Sequence, residues 1–238
     1  MKDNDDGGTR RGRNPPEPPG PEGSRAEGIV RRHRELFDSG TSVERTVFFS
    51  DAVFAIAMTL LVLELIIPEG LDQEHLGEAL AEAVPEFIAY TISFTVLAIA
   101  WLSHHRKFTV IHRYDAPLQG LNLLLLFFIA VLPMPTSFLS DYGGELSPWP
   151  AVLYAVVTSA VFLVLDLIWW HAWRAGLIAP VVDAPMYRYM LWAMLPVPVV
   201  FLLSIPVAFV SADWAMFIWV LIIPALFLTR RRPHPRRP

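Results

Sequence analysis

Residues 47–67 are almost free of charge, and that run limits the fold more than any other feature of the chain. At about 1.5 Å per residue it is long enough to cross a bilayer as a helix. It is entered through Arg45, Phe49, Ser50 and Asp51 and holds one further acid, Glu64, near its far end. An Arg and an Asp placed where a helix enters lipid cost free energy unless other helices satisfy them. The run therefore demands further spanning helices, and function is to be sought among the partners of that polar set.

Hydropathy predicts six spans, at residues 47–67, 87–101 with flanks, 118–139, 151–170, 187–209 and 214–228, so the fold class is all-α and membrane-embedded. The loops alternate in charge. Glu69, Asp72, Glu74, Glu78 and Glu82 follow span one without a Lys or Arg, whereas Arg106, Lys107 and Arg113 follow span two. Asp141 and Glu145 follow span three, Arg174 and Arg188 follow span four, and Asp213 follows span five. The basic loops are in phase with a basic C-terminal run, Arg230 to Arg237. The positive-inside rule then predicts a multi-pass protein of the cell membrane with both termini cytoplasmic.

Three regions are predicted: a cytoplasmic tail at 1–41, a six-helix domain at 42–229 and a basic cytoplasmic tail at 230–238. The first tail is rich in Pro, Gly, Arg and Glu, buries too little apolar surface to order itself, and shows no apolar core of a signal peptide. The chain as a whole is 54% hydrophobic despite that tail, which a soluble domain rarely matches. It has no cysteine, which excludes disulfides and thiolate metal sites. The terminal arginines read as a topology anchor touching anionic lipid, and no nucleic-acid partner is expected. His104, His105 and His112 lack the further ligands or the HExxH spacing of a metal enzyme, so neither an enzyme nor a cofactor is expected. Trp149, Trp169, Trp170, Trp173, Trp192 and Trp214 lie near span ends and read as an interfacial belt. Pro196, Pro198 and Pro206 predict kinks in span five, and Pro224 one in span six.

On a helical wheel of about 100° per residue, Phe49, Val53, Leu60 and Leu63 fall within roughly 60° of Ile56, with Ala52 and Thr59 on the flank. Asp51 falls nearly opposite. Periodicity alone leaves two readings of this stripe open, lipid contact or bundle packing on one side and a functional face on the other. Asp51 has no donor one turn away on its own helix. Its predicted partners stand at the end of span two, from Trp101 to Phe108 and including His104, and at Asn122 near the start of span three. A network joining three helices fixes the rotation of the first, which gives Asp51 a scaffold role.

Arg45-x-x-x-Phe49-Ser50-Asp51, followed by Ala-Val-Phe-Ala-Ile-Ala-Met-Thr-Leu-Leu-Val-Leu-Glu64, resembles the signature of the prokaryotic relatives of the lysosomal potassium channel, the transmembrane protein 175 family. Trp101-x-x-His104-His105-Arg106-x-Phe108 and Asn122-Leu are similar to the same family. The likeness covers residues 42–229; it is specific in the first two helices and topological in spans four to six. It implies a homotetramer whose first helices line a central pore for potassium ions. It also implies a constriction at Ile56, further layers at Leu60 and Leu63, and a pore-facing hydroxyl at Thr59. No Thr-Val-Gly-Tyr-Gly carbonyl filter is present. A narrow apolar ring empties of water when closed and strips hydration from an ion when open, which favours potassium over sodium modestly. Glu64 and the acidic loop after it would enrich cations at the outer mouth.

The alternative is a proton-coupled secondary transporter using Asp51, Asp166 and His104. Against it, no inverted repeat with broken helices is visible, and Asp166 also reads as a buried, paired acid near the inner end of span four.

Overall fold

The computed structural model describes residues 41–65, 77, 79, 81, 83–142 and 147–220. All of the predicted N-terminal tail but Thr41, the C-terminal tail, most of the acidic loop and the second half of span six, with Pro224, lie outside the described residues. Five segments are long and apolar enough to cross a membrane: Val43–Leu63, Glu86–Val110, Ala116–Tyr142, Trp149–Arg174 and Ala184–Ala208. They overlap the first five predicted spans. Of the sixth, Ala212–Val220 is helical.

The helices are α1 (Thr41–Leu60), continued by a 3-10 turn at Leu61–Glu64, α2 (Val84–Val110), α3 (Ala116–Val131), α4 (Pro133–Tyr142), α5 (Trp149–Arg174), α6 (Ala184–Met194), α7 (Pro196–Ala208) and α8 (Ala212–Val220). The third span is α3 and α4 together, broken at Pro133. That proline has no N–H for the Ile129 carbonyl, and the Leu132 N–H reaches this carbonyl at 3.4 Å while also bonding Phe128 at 3.1 Å. The fifth span is α6 and α7, broken at Pro196 as its prolines predict, although α7 runs on through Pro206.

The helix ends are closed by side chains and backbone alike. Asp115 caps α3 by accepting from the Leu118 N–H at 2.8 Å, and Asp183 caps α6 by accepting from the Met186 N–H at 2.8 Å. After α5 the chain turns at Gly176, φ 67°, with Gly176 N–H to Trp173 O at 3.3 Å and Leu177 N–H to Ala172 O at 2.9 Å. This pair of bonds satisfies the last carbonyls of the helix and needs a left-handed residue. The two basic loops then zip together through an antiparallel bridge between Ile111 and Ile178. His112 N–H donates to Leu177 O at 3.1 Å and Ala179 N–H to Val110 O at 2.8 Å. These loops therefore share one face of the bundle, as their charge predicts.

The core is built on α5, which packs against α2, α3, α4, α6, α7 and α8. Tyr154, Phe201 and Trp219 join α5, α7 and α8 with ring centroids 4.9–5.9 Å apart. The Trp219 indole donates to Ser204 Oγ at 2.8 Å. Such aromatic contacts combine large apolar burial with a satisfied polar tip.

Two expectations are corrected. Span two does not end near Trp101: α2 continues to Val110, so Arg106 and Lys107 are helical rather than loop residues. Lys107 is 1% exposed, its ammonium donating to Asp166 Oδ1 at 2.9 Å and Leu165 O at 3.0 Å. A paired Lys is tolerated at a depth where hydropathy reads only an unpaired charge. Trp169 is not part of an interfacial belt but fully buried, with its indole donating to Tyr187 O at 3.1 Å.

Candidate functional site

Helix α1 packs on α2 and α3 through one narrow stripe. Ser50, Phe54, Ala57 and Leu61 are buried, at spacings of four, three and four that keep them on one side of the helix. The opposite side is bare: Phe49, Ile56, Leu60 and Leu63 are exposed, Ile56 at 57% and Leu63 at 69%. Thr59 is exposed beside them, its hydroxyl donating to Ile56 O at 2.8 Å. That proton is held by the helix backbone, so the oxygen lone pairs remain for an outside partner. Glu64 closes the 3-10 turn, and its side chain is outside the described ones.

What pins the buried stripe is polar. The Ser50 hydroxyl donates to Thr46 O at 2.8 Å and accepts from Asn122 Nδ2 at 3.0 Å. The Asn122 carbonyl oxygen lies 3.0 Å from His104 Nε2. An amide carbonyl only accepts, so His104 carries its proton on Nε2 and donates. Its ring sits between Phe54 of α1, at 5.6 Å, and Phe108 one turn along α2, stacked at 4.1 Å. Ser50, His104 and Asn122 are all fully buried, so each bond replaces one that water does not supply. A second tie runs from the Trp101 indole, which donates to Asp51 Oδ1 at 2.9 Å. Trp101 in turn lies against the His105 ring, with centroids 5.6 Å apart.

Of the residues singled out in the sequence, the structure thus brings together Ser50, Asp51, Trp101, His104 and Asn122. It leaves Arg45 and Phe49 out. Both are exposed, and among the described residues Arg45 has no carboxylate partner. Asp166 joins neither Asp51 nor His104; its partner is Lys107. Among the described residues no group of three His, Asp or Glu side chains is arranged to hold a metal ion.

Sequence reasoning missed a further polar cluster midway along the bundle. The Ser93 hydroxyl of α2 donates to the Tyr154 hydroxyl of α5 at 3.1 Å, and the Thr136 hydroxyl of α4 lies 2.8 Å from Ser93 Oγ. Thr136 Oγ1 also lies 3.0 Å from Leu132 O, at the break before Pro133. No spacing links residues 93, 136 and 154. The nearby Pro133-Met-Pro135 pair was the only available signal of a break that needs polar cover.

The described residues thus form a multi-pass helical bundle whose first helix is held on one face and bare on the other. A sequence model of the family described as "Endosomal/lysosomal potassium channel TMEM175" matches residues 45–133, which span α1, the network on α2 and α3, and the break at Pro133. A potassium channel of Streptomyces collinus is 42% identical over 60% of this chain and 71% of its own length. The endosomal/lysosomal proton channel TMEM175 of Bos taurus is 31% identical over 58% of this chain and 30% of its own. The crystal structure of a lysosomal potassium-selective channel TMEM175 homolog from Chamaesiphon minutus superposes with a TM-score of 0.65 at 26% identity, covering 80% of this chain and 99% of that one. The chain belongs to the TMEM175 family, a family of ion channels and not of enzymes.

Proposed function

We propose that the chain is one subunit of a potassium-preferring cation channel in which the first helices of four copies surround the conduction path. The observation that carries this reading is the division of α1: a buried stripe tied by hydrogen bonds, and a bare stripe of Phe49, Ile56, Leu60 and Leu63 facing away from the subunit. A lipid-facing helix needs no fixed rotation, because lipid accepts any apolar face. A pore-lining helix does, because its narrowest side chain must meet its symmetry mates.

Ile56 is the narrowest ring in this reading, Leu60 and Leu63 add apolar layers, and the Thr59 oxygen offers a partner to a partly dehydrated ion. Ions cross by shedding water against apolar walls, which favours the less tightly hydrated potassium modestly. Closed cyclic symmetry supplies the missing walls, since a single bundle presents one such stripe. The relatives named as potassium channels in Streptomyces collinus and Chamaesiphon minutus support the choice of ion. The basic loops bridged at Ile111 and Ile178 support a cytoplasmic assignment of their face, with both termini on that side of the cell membrane.

The proton-coupled transporter reading draws less support, because Asp51, His104 and Asp166 each belong to a separate partnership. The deciding experiment is the reversal potential of purified protein in liposomes under opposed potassium and sodium gradients. The channel reading expects a potential on the potassium side that is independent of any pH gradient. A current that requires a proton gradient in fixed ratio to potassium would overturn it.

A further inference from the structure

On the face of the bundle that carries the basic loops, the end of α2 and the length of α6 enclose an open-sided cavity of about 360 Å³. The two helices run antiparallel there. Thr109, Val110 and Met186 stand at its mouth, and Ser103, Ala193 and Met194 lie two turns deeper, on the order of 10 Å into the membrane. Its walls are unlike in chemistry. The α6 side is methionine-rich and mostly apolar, with Tyr189 adding one phenol, and methionine adapts to irregular apolar partners. The α2 side presents His105 and Arg106.

Three features point to an occupant. Arg106 is exposed to the cavity and, among the described residues, has no carboxylate partner. The neighbouring charges are already engaged: Lys107 with Asp166, Asp183 with the Met186 N–H, and Asp115 with the Leu118 N–H and His171. One turn deeper, Ser103 is only 5% exposed and has no hydrogen-bond partner among the described residues, although its side chain lines the cavity. An unneutralised cation near the membrane surface, a lone buried hydroxyl one turn below it and an apolar floor below that follow the order of groups in a phospholipid.

We propose that this cavity binds an anionic glycerophospholipid. Its phosphate lies against Arg106 and His105, an ester carbonyl accepts from the Ser103 hydroxyl, and the first methylenes of an acyl chain rest on Met190, Ala193 and Met194. An Arg reaching to the surface from within a span suits this role, since its stem stays in apolar surroundings while its head meets the phosphate. The site also adjoins the anchor of α1, because His105 lies against Trp101, the donor to Asp51. The inference does not depend on which ion the protein conducts.

The test is native mass spectrometry of the full-length protein in mild detergent with added phosphatidylglycerol, phosphatidylcholine of the same acyl chains, or inorganic phosphate. Phosphatidylglycerol is expected to be retained in preference to phosphatidylcholine, and millimolar phosphate to leave it in place. A surface cation contributes about 1 kcal/mol to anionic lipid binding, so Arg106→Ala should lower retention about fivefold. Arg106→Lys should keep most of it, and Arg113→Ala, on the same face but outside the cavity, should change it less than twofold. Met190→Trp, which fills the apolar floor, should lower retention with every charge still in place. Equal losses in Arg106→Ala and Arg113→Ala would reduce the effect to diffuse attraction and overturn the proposal. Equal retention of the two lipids, displacement by free phosphate, or a change in subunit count in place of lipid count would overturn it as well.

Discussion

Helices α1 and α5 are both long and apolar, yet the bundle uses them in opposite ways. Within the chain 67% of the spanning window of α5 is buried against only 22% of that of α1. α5 is packed around most of its circumference, so its residues are constrained by the fold. α1 is held along a single stripe by Ser50, Phe54, Ala57 and Leu61, and most of its surface is left to whatever lies outside the subunit. The difference teaches where to look for function in a membrane bundle. Apolar exposure means little in lipid, but apolar exposure on a helix whose rotation is fixed by buried polar bonds is a defined surface.

The comparison is most easily broken at α5. Lys107 and Asp166 join α2 to α5 inside the bundle, and removing one member strands a buried charge. Such losses run to about 3–5 kcal/mol. Lys107→Ala is therefore expected to give poorly folded protein, with a large drop in the temperature at which the detergent-solubilised protein loses its monodisperse elution profile. Replacing both, Lys107→Met with Asp166→Leu, should recover most of that loss, because two apolar groups of similar volume leave nothing unpaired. If Lys107→Ala were as stable as the parent, the pair would not belong to the frame.

This pair also marks what could and could not be read from the sequence. Of the partners expected for Asp51 only Trp101 binds it, and His104 and Asn122 form a chain to Ser50 instead. The five described spans, the helices that supply the network and the side shared by the basic loops were legible, because hydropathy, charge alternation and the cost of an acid in lipid act locally or through composition. The Lys107–Asp166 contact, 59 residues apart, was not. Seen alone, Lys107 looks like the start of a loop, so hydropathy ends the second span before it. The break at Pro133 is hidden for the converse reason, since the apolar run continues through it. Arg45 and Phe49 belong to the sequence signature of α1 without joining the network, because neighbours in sequence point in different directions on a helix and Phe49 falls on the Ile56 side of the wheel.

A smaller effect is expected at the joint between the two regions. Asp51 is tied to Trp101, and a hydrogen bond of a partly buried charged group contributes about 1–3 kcal/mol. Asp51→Ala should lower thermal stability by that amount and reduce the yield of assembled protein. Asp51→Asn keeps an oxygen acceptor for the indole and should lose less. In channels that still assemble, both variants should retain nearly the parent's potassium-to-sodium ratio, because Asp51 lies on the far side of α1 from Ile56. A changed ratio in well-folded Asp51→Ala would move Asp51 from the anchor to the permeation path.

The smallest effect on folding and the sharpest on function are expected two residues apart on the same helix. Phe54 is 1% exposed and packs against His104, whereas Ile56 points away from the subunit. Truncating a buried Phe costs about 3–5 kcal/mol, while an exposed substitution usually stays within about 0.5 kcal/mol. Ile56→Asn should therefore elute and melt like the parent. In liposomes, however, the proposed tetramer would carry four amides in place of four apolar side chains and its proposed narrowest ring would be wetted, so an ion would cross it with more of its water and potassium would lose its advantage over sodium. The expected result is a larger current with a reversal potential shifted toward the sodium side. Should Ile56→Asn instead lower stability as Phe54→Ala does and leave the reversal potential unchanged, the bare stripe would be a packing surface between copies, and the conduction path would have to be sought on another helix.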